Sequence, residues 1–130
     1  MAPTRTLTVA VVDDDAAVRK AVCRLLRSAG FRPRGFANGQ EFLEAWLSEP
    51  PDCLVLDLQM PGISGVEVQN RLRRAGARPT TICVTAHDRE GVREECLLAG
   101  AQDYLRKPVE AEELLAAIRR ILNSRSLPPD

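Results

Sequence analysis

Five side chains that could take part in a chemical reaction each stand at the end of an apolar run of the sequence or directly after one: Asp13, Asp14, Asp57, Thr85 and Lys107. Carboxylates that are crowded together repel one another unless a cation neutralises them, and hard oxygen ligands favour Mg²⁺ over softer metals. An ammonium group and a hydroxyl group can bind the oxygens of a phosphoryl group. Brought together, these residues would form a phosphoryl-transfer site with Asp57 as the nucleophile.

The pattern of apolar residues predicts elements that would position these side chains. Continuous apolar runs at 7–12, 53–56 and 80–84 predict strands buried on both faces, and weaker strands are expected at 32–36 and 103–106. Helices are predicted between the strands and after the last one, beginning after Asp15, at Asn38 or Gly39, near Ser64, at Arg89 and at Ala111, the last ending near Leu122.

This alternation of strand and helix predicts an α/β protein with a flavodoxin-like, doubly wound (βα)5 fold. The expected five-stranded parallel sheet has the order 2-1-3-4-5. In such a sheet the carboxyl ends of the strands share one edge, and ligands bind where the strand order reverses, here between the first and third strands. The fold therefore predicts that the five side chains converge.

The composition of the chain limits the classes of protein to which it can belong. A chain of 130 residues with 45% hydrophobic content predicts one domain with one core. The 18 basic and 18 acidic residues balance, which predicts no broad basic field for nucleic acid or a membrane. No stretch approaches the roughly 18 apolar residues of a membrane span. The four cysteines form no CxxC pair and are expected to be free, mostly buried thiols, which favours a cytoplasmic protein.

Four short motifs contain the predicted site: VVDDD at 11–15, LVLDLQMPGISG at 54–65, VTA at 84–86 and YLRKP at 104–108. They occur in order, each at the end of a predicted strand. Through them the chain resembles the receiver domains of bacterial response regulators, and the resemblance covers nearly all of the chain. The regions around VRKAV and TAHD resemble receivers of the nitrogen-fixation regulator type.

The resemblance implies a role for each residue of the site. Asp57 would accept a phosphoryl group from a histidine kinase. Asp13 and Asp14 would hold Mg²⁺ together with Asp57 and the backbone carbonyl of Gln59. Lys107 would bind the phosphoryl group.

The resemblance also implies a conformational switch. Tyr104 would turn inward when the Thr85 hydroxyl moves toward the phosphoryl group, and the Lys107-Pro108 peptide bond would be cis. The surface formed by the fourth helix, the fifth strand and the fifth helix would change, and a phosphorylation-dependent homodimer is expected there.

Residues 1–124 are predicted to form the receiver domain, and residues 125–130 a tail or the start of a linker. Two interpretations of the tail stay open: it leads to an output domain, transcriptional in kind, or the receiver stands alone.

Three other functions fit parts of the pattern. An aspartyl-phosphate phosphatase would need a second acid two residues after Asp57, where Gln59 stands. A flavin carrier would need a phosphate-cradling loop after the first strand, where carboxylates stand. A receiver used without phosphorylation as an interaction module is the main alternative. We expect self-phosphotransfer and autodephosphorylation rather than turnover of an external substrate.

Overall fold

A parallel sheet forms the centre of the protein. The computed structural model describes residues 6–46 and 48–126, and within them the strands are β1 (Thr8–Val12), β2 (Arg32–Phe36), β3 (Cys53–Asp57), β4 (Thr80–Thr85) and β5 (Asp103–Arg106). They lie in the order β2-β1-β3-β4-β5, and each neighbouring pair is parallel. The predicted (βα)5 fold and strand order are confirmed.

Helices follow the strands in alternation: α1 (Ala16–Ser28), α2 (Gly39–Trp46), α3 (Gly65–Arg74), α4 (Val92–Leu98) and α5 (Ala111–Ser126). The Asp15 carboxylate accepts the backbone N–H groups of Ala17 and Val18 at the start of α1. The Ser64 hydroxyl accepts the N–H of Glu67 at the start of α3. Both helices therefore begin where a side chain satisfies otherwise unpaired N–H groups.

The bounds of two helices differ from the prediction. Helix α4 begins at Val92 rather than Arg89, because Gly91 has a φ of 87°, outside the helical region. Helix α5 continues to Ser126 instead of ending near Leu122. The residues after Leu122 include neither glycine nor proline until Pro128, so nothing in the sequence stops the helix earlier.

The sheet separates two hydrophobic layers. One layer packs α1 and α5 on the sheet and contains Val9, Val11, Leu26 and Ile118. The other packs α2 and α3 on the opposite face and contains Phe42 and Val68, with Trp46 partly buried against it. Every residue of β3 and β4 is buried, as expected for central strands of a parallel sheet.

A third, smaller cluster lies under α4 and contains Leu58, Cys83, Cys96 and Ala101. The predicted free thiols are confirmed: Cys53, Cys83 and Cys96 are buried and Cys23 is half-buried.

None of the helices within the described ranges is long and apolar enough to cross a bilayer. Leu47, the apolar residue that follows α2, lies outside the described residues. So do residues 127–130 of the predicted tail.

Candidate functional site

The carboxyl ends of β1 and β3 bring three carboxylates together, and the residue after β5 places an ammonium group among them. One oxygen from each of Asp13, Asp14 and Asp57 lies within 4.8 Å of the other two. We call these three residues the acidic cluster. The Lys107 Nζ lies 2.8 Å from Asp13 Oδ2 and 3.6 Å from Asp57 Oδ2. The structure therefore brings these four sequence-predicted residues together.

The fold changes the titration of the Asp57 carboxyl group. It is 5% exposed, and burial raises its pKa from 3.8 to about 6. The N–H of Gln59, 3.2 Å from Asp57 Oδ1, and the charge of Lys107 lower the pKa, while Asp13 and Asp14 raise it further. The carboxyl group is thus ionised at neutral pH but less readily than an ordinary aspartate.

Lys107 is held in place by both its backbone and its side chain. Its N–H donates to the carbonyl of Thr85 over 2.8 Å, which fixes the end of β5 beside the end of β4. Burial disfavours the charge, but the hydrogen bond to Asp13 and the charges of Asp57 and Asp13 outweigh it and raise the pKa of Lys107. The ammonium therefore stays charged. The Lys107-Pro108 peptide bond is cis, as the resemblance implied.

Asp13 is fixed by hydrogen bonds on both carboxylate oxygens. Oδ1 accepts the N–H of Asp15 over 2.9 Å, and Oδ2 accepts from Lys107. The backbone carbonyl of Asp13 accepts from the Arg19 guanidinium over 2.7 Å. Asp14 is exposed and completes the cluster from the solvent side. Asp15 caps α1, in agreement with the predicted start of this helix after Asp15.

Thr85 lies at the end of β4 and is 1% exposed. Its hydroxyl oxygen accepts the N–H of His87 over 3.0 Å. His87 itself is exposed in the loop after the strand. The structure thus places the predicted switch hydroxyl in a buried position one strand away from Asp57.

The hydroxyl group of Tyr104 has a hydrogen-bond partner outside the acidic cluster. The hydroxyl donates to Asp88 Oδ1 over 2.6 Å, and Arg106 donates to Asp88 Oδ2 over 3.3 Å. Desolvation, together with the hydrogen bond to and charge of Asp88, raises the pKa of Tyr104 to about 12. The tyrosine is therefore tied to the loop between β4 and α4 rather than to the acidic cluster.

These contacts define what the site can do chemically. A buried carboxylate with an adjacent ammonium can act as a nucleophile toward phosphorus, since the ammonium can bind the phosphoryl oxygens. The remaining carboxylates are all-oxygen donors, which suit a hard divalent cation such as Mg²⁺. The residues thus fit metal-assisted phosphoryl transfer.

The family model of the response regulator receiver domain matches residues 9–119. This match spans every sequence-predicted residue of the site. The chain belongs to this family. A receiver domain is the phosphoacceptor part of a two-component system, and the family implies a histidine kinase as its phosphodonor.

Known relatives of the receiver domain agree with this assignment. The response regulator MprA of Mycobacterium ulcerans is 42% identical over 125 residues, which cover 96% of this chain and 54% of that protein. The chain therefore spans about half the length of the curated relatives it matches.

Two solved structures show the same fold. A response regulator receiver protein from Burkholderia phymatum has a TM-score of 0.79 and 46% identity, with 91% of this chain and 96% of that chain covered. The BeF3-activated receiver domain of DrrB has a TM-score of 0.82 and 32% identity, with 92% and 99% covered.

Two positions of this receiver domain were missed by the sequence analysis. A Cβ atom on Gly65 would lie 2.7 Å from the carbonyl oxygen of Asp57, so only glycine lets α3 approach the end of β3 this closely. The motif in which Gly65 stands was noted, but not this contact. Asp88, the partner of Tyr104, lies in the loop between β4 and α4, and the sequence offers no signal for its contact.

Proposed function

We propose that Asp57 is the residue of this receiver domain that accepts the phosphoryl group. The observation that carries the proposal is the Lys107 ammonium between Asp13 and Asp57, at 2.8 Å and 3.6 Å from their oxygens. Asp57 is a buried member of the cluster and ends the central strand β3, and its neighbours provide a cation and a hydroxyl for the incoming group. This arrangement supports a nucleophilic rather than a purely structural role.

In the proposed reaction a carboxylate oxygen of Asp57 attacks the phosphorus of a kinase phosphohistidine. The new bond is an acyl phosphate, and the phosphorus–nitrogen bond breaks. The leaving imidazole keeps the bonding electrons and takes up a proton. Lys107 binds one phosphoryl oxygen and the Thr85 hydroxyl donates to another, which positions the group and stabilises its charge.

The cofactor of this proposal is Mg²⁺. Asp13, Asp14 and Asp57 would hold it, with the backbone carbonyl of Gln59 as a further oxygen ligand. When bound, the ion supplies positive charge that neutralises the carboxylates and the phosphoryl oxygens. The oxygens of the acidic cluster lie close enough together to share one ion.

The proposed response to phosphorylation is a change on the side of the molecule formed by α4, β5 and α5. Movement of Thr85 toward the phosphoryl group would let Tyr104 leave Asp88 and turn inward. Leu97 and Leu98 of α4 are large hydrophobic residues with exposures of 39% and 79%. Their exposure supports a homodimer through this surface in the phosphorylated state.

We also propose the extent and setting of the domain. Residues 1–124 would form the receiver domain, and residues 125–130 a tail or the start of a linker. Since the chain spans about half of its curated relatives, control of an output domain, transcriptional in kind, is part of the proposal. So is a cytoplasmic location, which the four free thiols support.

We propose that the domain accepts a phosphoryl group on its own aspartate and loses it by autodephosphorylation, and that it does not turn over an external substrate. Gln59 stands two residues after the acceptor, where a phosphatase of the aspartyl-phosphate type would need a general acid. Its amide cannot donate a proton in that role. Loss of the phosphoryl group then proceeds by autodephosphorylation.

Incubation with acetyl phosphate tests the proposal, with intact mass as the readout. We expect one phosphoryl adduct that forms with Mg²⁺ and is absent with a chelator. Asp57→Asn is the matched control, since it keeps the size of the side chain and removes the nucleophile. An equal adduct on this variant would refute the assignment. Beryllium fluoride, which mimics a phosphoryl group, then tests whether the dimer forms by size-exclusion chromatography.

A further inference from the structure

A cavity of about 250 Å³ lies between strand β2 and helix α2. Its wall includes Thr8 and Ala10 from the first half of β1, and Arg32 and Arg34 from the first half of β2. The acidic cluster stands at the carboxyl ends of the strands, and none of its residues lines the cavity. The cavity is therefore separate from the proposed phosphorylation site.

The register of the sheet determines which side chains face this cavity. Arg32 and Arg34 of β2 stand beside Thr8 and Ala10 of β1, and side chains at paired positions of parallel strands point to the same face of a sheet. Ala10 belongs to the hydrophobic layer under α2 and α3. All four side chains therefore point to the α2 side of the sheet and away from α1.

Aromatic side chains form the apolar wall of the cavity. Phe36 of β2 lines it together with Phe42 and Trp46 of α2. Ligand cavities in proteins combine apolar walls with a few polar groups, and their volumes begin near about 300 Å³. With about 250 Å³, this cavity is suited to a small molecule rather than to a segment of a protein.

The charges around the cavity do not cancel. Arg34 forms an ion pair with Glu49 over 3.0 Å, and Glu49 is the one acid among the described residues that line the cavity. The buried Asp52 binds the N–H and hydroxyl of Thr8 and is not part of the wall. Arg32 is exposed and forms no ion pair within residues 6–46 and 48–126. Its guanidinium charge is therefore available to a ligand.

The indole N–H of Trp46 also lacks a partner. Its Nε1 atom is buried and has no hydrogen bond within the described part of the chain. An indole nitrogen can only donate, and a buried donor without an acceptor destabilises the folded state. Because Trp46 lines the cavity, a ligand oxygen can satisfy this donor once the ring turns toward it.

We propose that this cavity binds a small carboxylate with an apolar body, of which an aromatic acid is the simplest case. The apolar body packs against Phe42 and Trp46. The carboxylate accepts two parallel hydrogen bonds from the Arg32 guanidinium, whose planar shape matches it. The Trp46 N–H is a further donor to the same group.

The observed wall selects this class of ligand over others. A cation would approach Arg32, which has no acid to offset its charge. A purely polar anion would leave the aromatic wall in contact with water. One unpaired guanidinium beside the Arg34–Glu49 ion pair suits a single negative charge rather than two. A small molecule with one carboxylate and an apolar body satisfies all three conditions.

NMR spectroscopy of the whole chain with sodium benzoate as the probe tests the proposal. Trp46 is the single tryptophan, so its indole N–H gives one isolated resonance that reports on this cavity. At constant ionic strength we expect a saturable shift of this resonance, with half-saturation at about 1 mM or below. The absence of a saturable shift up to about 10 mM would overturn the proposal.

Two further probes separate the apolar body from the charge. Benzyl alcohol has the ring without the carboxylate, and acetate has the carboxylate without the ring. We expect each to bind at least about ten-fold more weakly than benzoate. Benzyl alcohol that binds as well as benzoate would show that Arg32 does not select the ligand. Acetate that binds as well would show an anion on an exposed arginine only, and either result would refute the proposal.

Arg32→Gln tests the guanidinium directly. We expect the concentration of benzoate at half-saturation to rise at least about ten-fold, because the charge-assisted hydrogen bonds are lost. The matched control is Arg24→Gln, which removes an exposed arginine from α1 on the other face of the sheet and should bind as the unmodified chain does. Circular dichroism verifies that both variants are folded. The proposal is wrong if Arg32→Gln binds like the unmodified chain, or if both variants lose the same affinity.

Discussion

The acidic cluster and the Tyr104–Asp88 contact lie on the same edge of the sheet but differ in how they are held. Asp13 and Asp57 are each 5% exposed, and strand ends fix both. Asp88 lies in an exposed loop, and its carboxylate binds two side chains near the surface. The cluster is therefore supported by the core, whereas the contact of Tyr104 depends on one surface carboxylate.

This difference separates the residues proposed for phosphoryl transfer from the residues proposed for the conformational switch. Phosphoryl transfer needs groups whose positions do not change between free and reacting states. A switch needs a contact that is weak enough to be exchanged for another. Substitutions in the buried cluster should thus alter stability strongly, while substitutions at the surface contact should alter stability little.

The largest effect is expected for Lys107→Met. The change leaves the carboxylates of Asp13 and Asp57 buried without their cation, which should cost about 4 kcal/mol of unfolding free energy at neutral pH without metal. Urea denaturation measures this loss. Lys20→Met, which removes an exposed lysine, is the control and should cost far less. A loss below that of the control would show that the cluster does not depend on Lys107.

Gly65→Ala tests the support of the cluster by α3. Its Cβ would meet the backbone of Asp57 and Leu58 at 2.7 and 2.8 Å, and backbone atoms cannot move aside as a side chain can. We expect a loss of about 3 kcal/mol in thermal or urea unfolding. At Gly35 the added atom would meet the flexible Arg19 side chain at 3.1 Å, so Gly35→Ala should cost much less. Equal losses would contradict the close-approach argument.

Asp57→Asn should stabilise the protein at neutral pH. Burial raises the pKa of Asp57 from 3.8 to about 6, so the folded state binds its proton more tightly than the unfolded state does. The stability that the protonated Asp57 contributes is therefore fully present below pH 3.8 and is lost as the pH rises through about 6.

Replacing the Asp57 carboxylate by an uncharged amide should raise the free energy of unfolding by about 3 kcal/mol above pH 7 and by almost nothing near pH 4. Denaturation of both proteins across this pH range measures the difference. If the variant is less stable than the unmodified chain at pH 7, the charge of Asp57 does not destabilise the folded state.

The smallest change in stability is expected for Asp88→Ala. Both of its contacts are near the surface, and loss of such pairs costs about 0.5 kcal/mol. Without Asp88, however, Tyr104 loses the partner that holds its hydroxyl in the loop. Tyrosine fluorescence on addition of beryllium fluoride should then change less than in the unmodified chain. A change of the same size would argue against Asp88 as the partner that the switch releases.

The sequence predicts the buried cluster well because its position follows from the sheet. Apolar runs mark β1, β3 and β4, and parallel strands bring their carboxyl ends to one edge whatever the loops do. Asp13 and Asp57 were found in this way, and Lys107 through the weaker strand predicted just before it. Their roles in catalysis remain predictions until phosphorylation is measured.

The start of α4 and the contact between Asp88 and Tyr104 are less predictable from the sequence. Helix α4 starts three residues later than expected because of the conformation of Gly91, which its neighbours do not specify. The contact between Asp88 and Tyr104 joins a loop to a strand 16 residues away and depends on that loop's path. Such contacts are set by tertiary structure rather than by a local pattern of residues.

The assignment of the phosphoacceptor is tested most directly by chemical trapping. Sodium borohydride reduces an acyl phosphate to an alcohol, so a phosphorylated aspartate becomes homoserine. After reaction with acetyl phosphate and Mg²⁺, peptide mass spectrometry should find homoserine at position 57 and nowhere else. Homoserine at position 13 or 14, or its absence from protein that had gained the phosphoryl group, would contradict the assignment of Asp57.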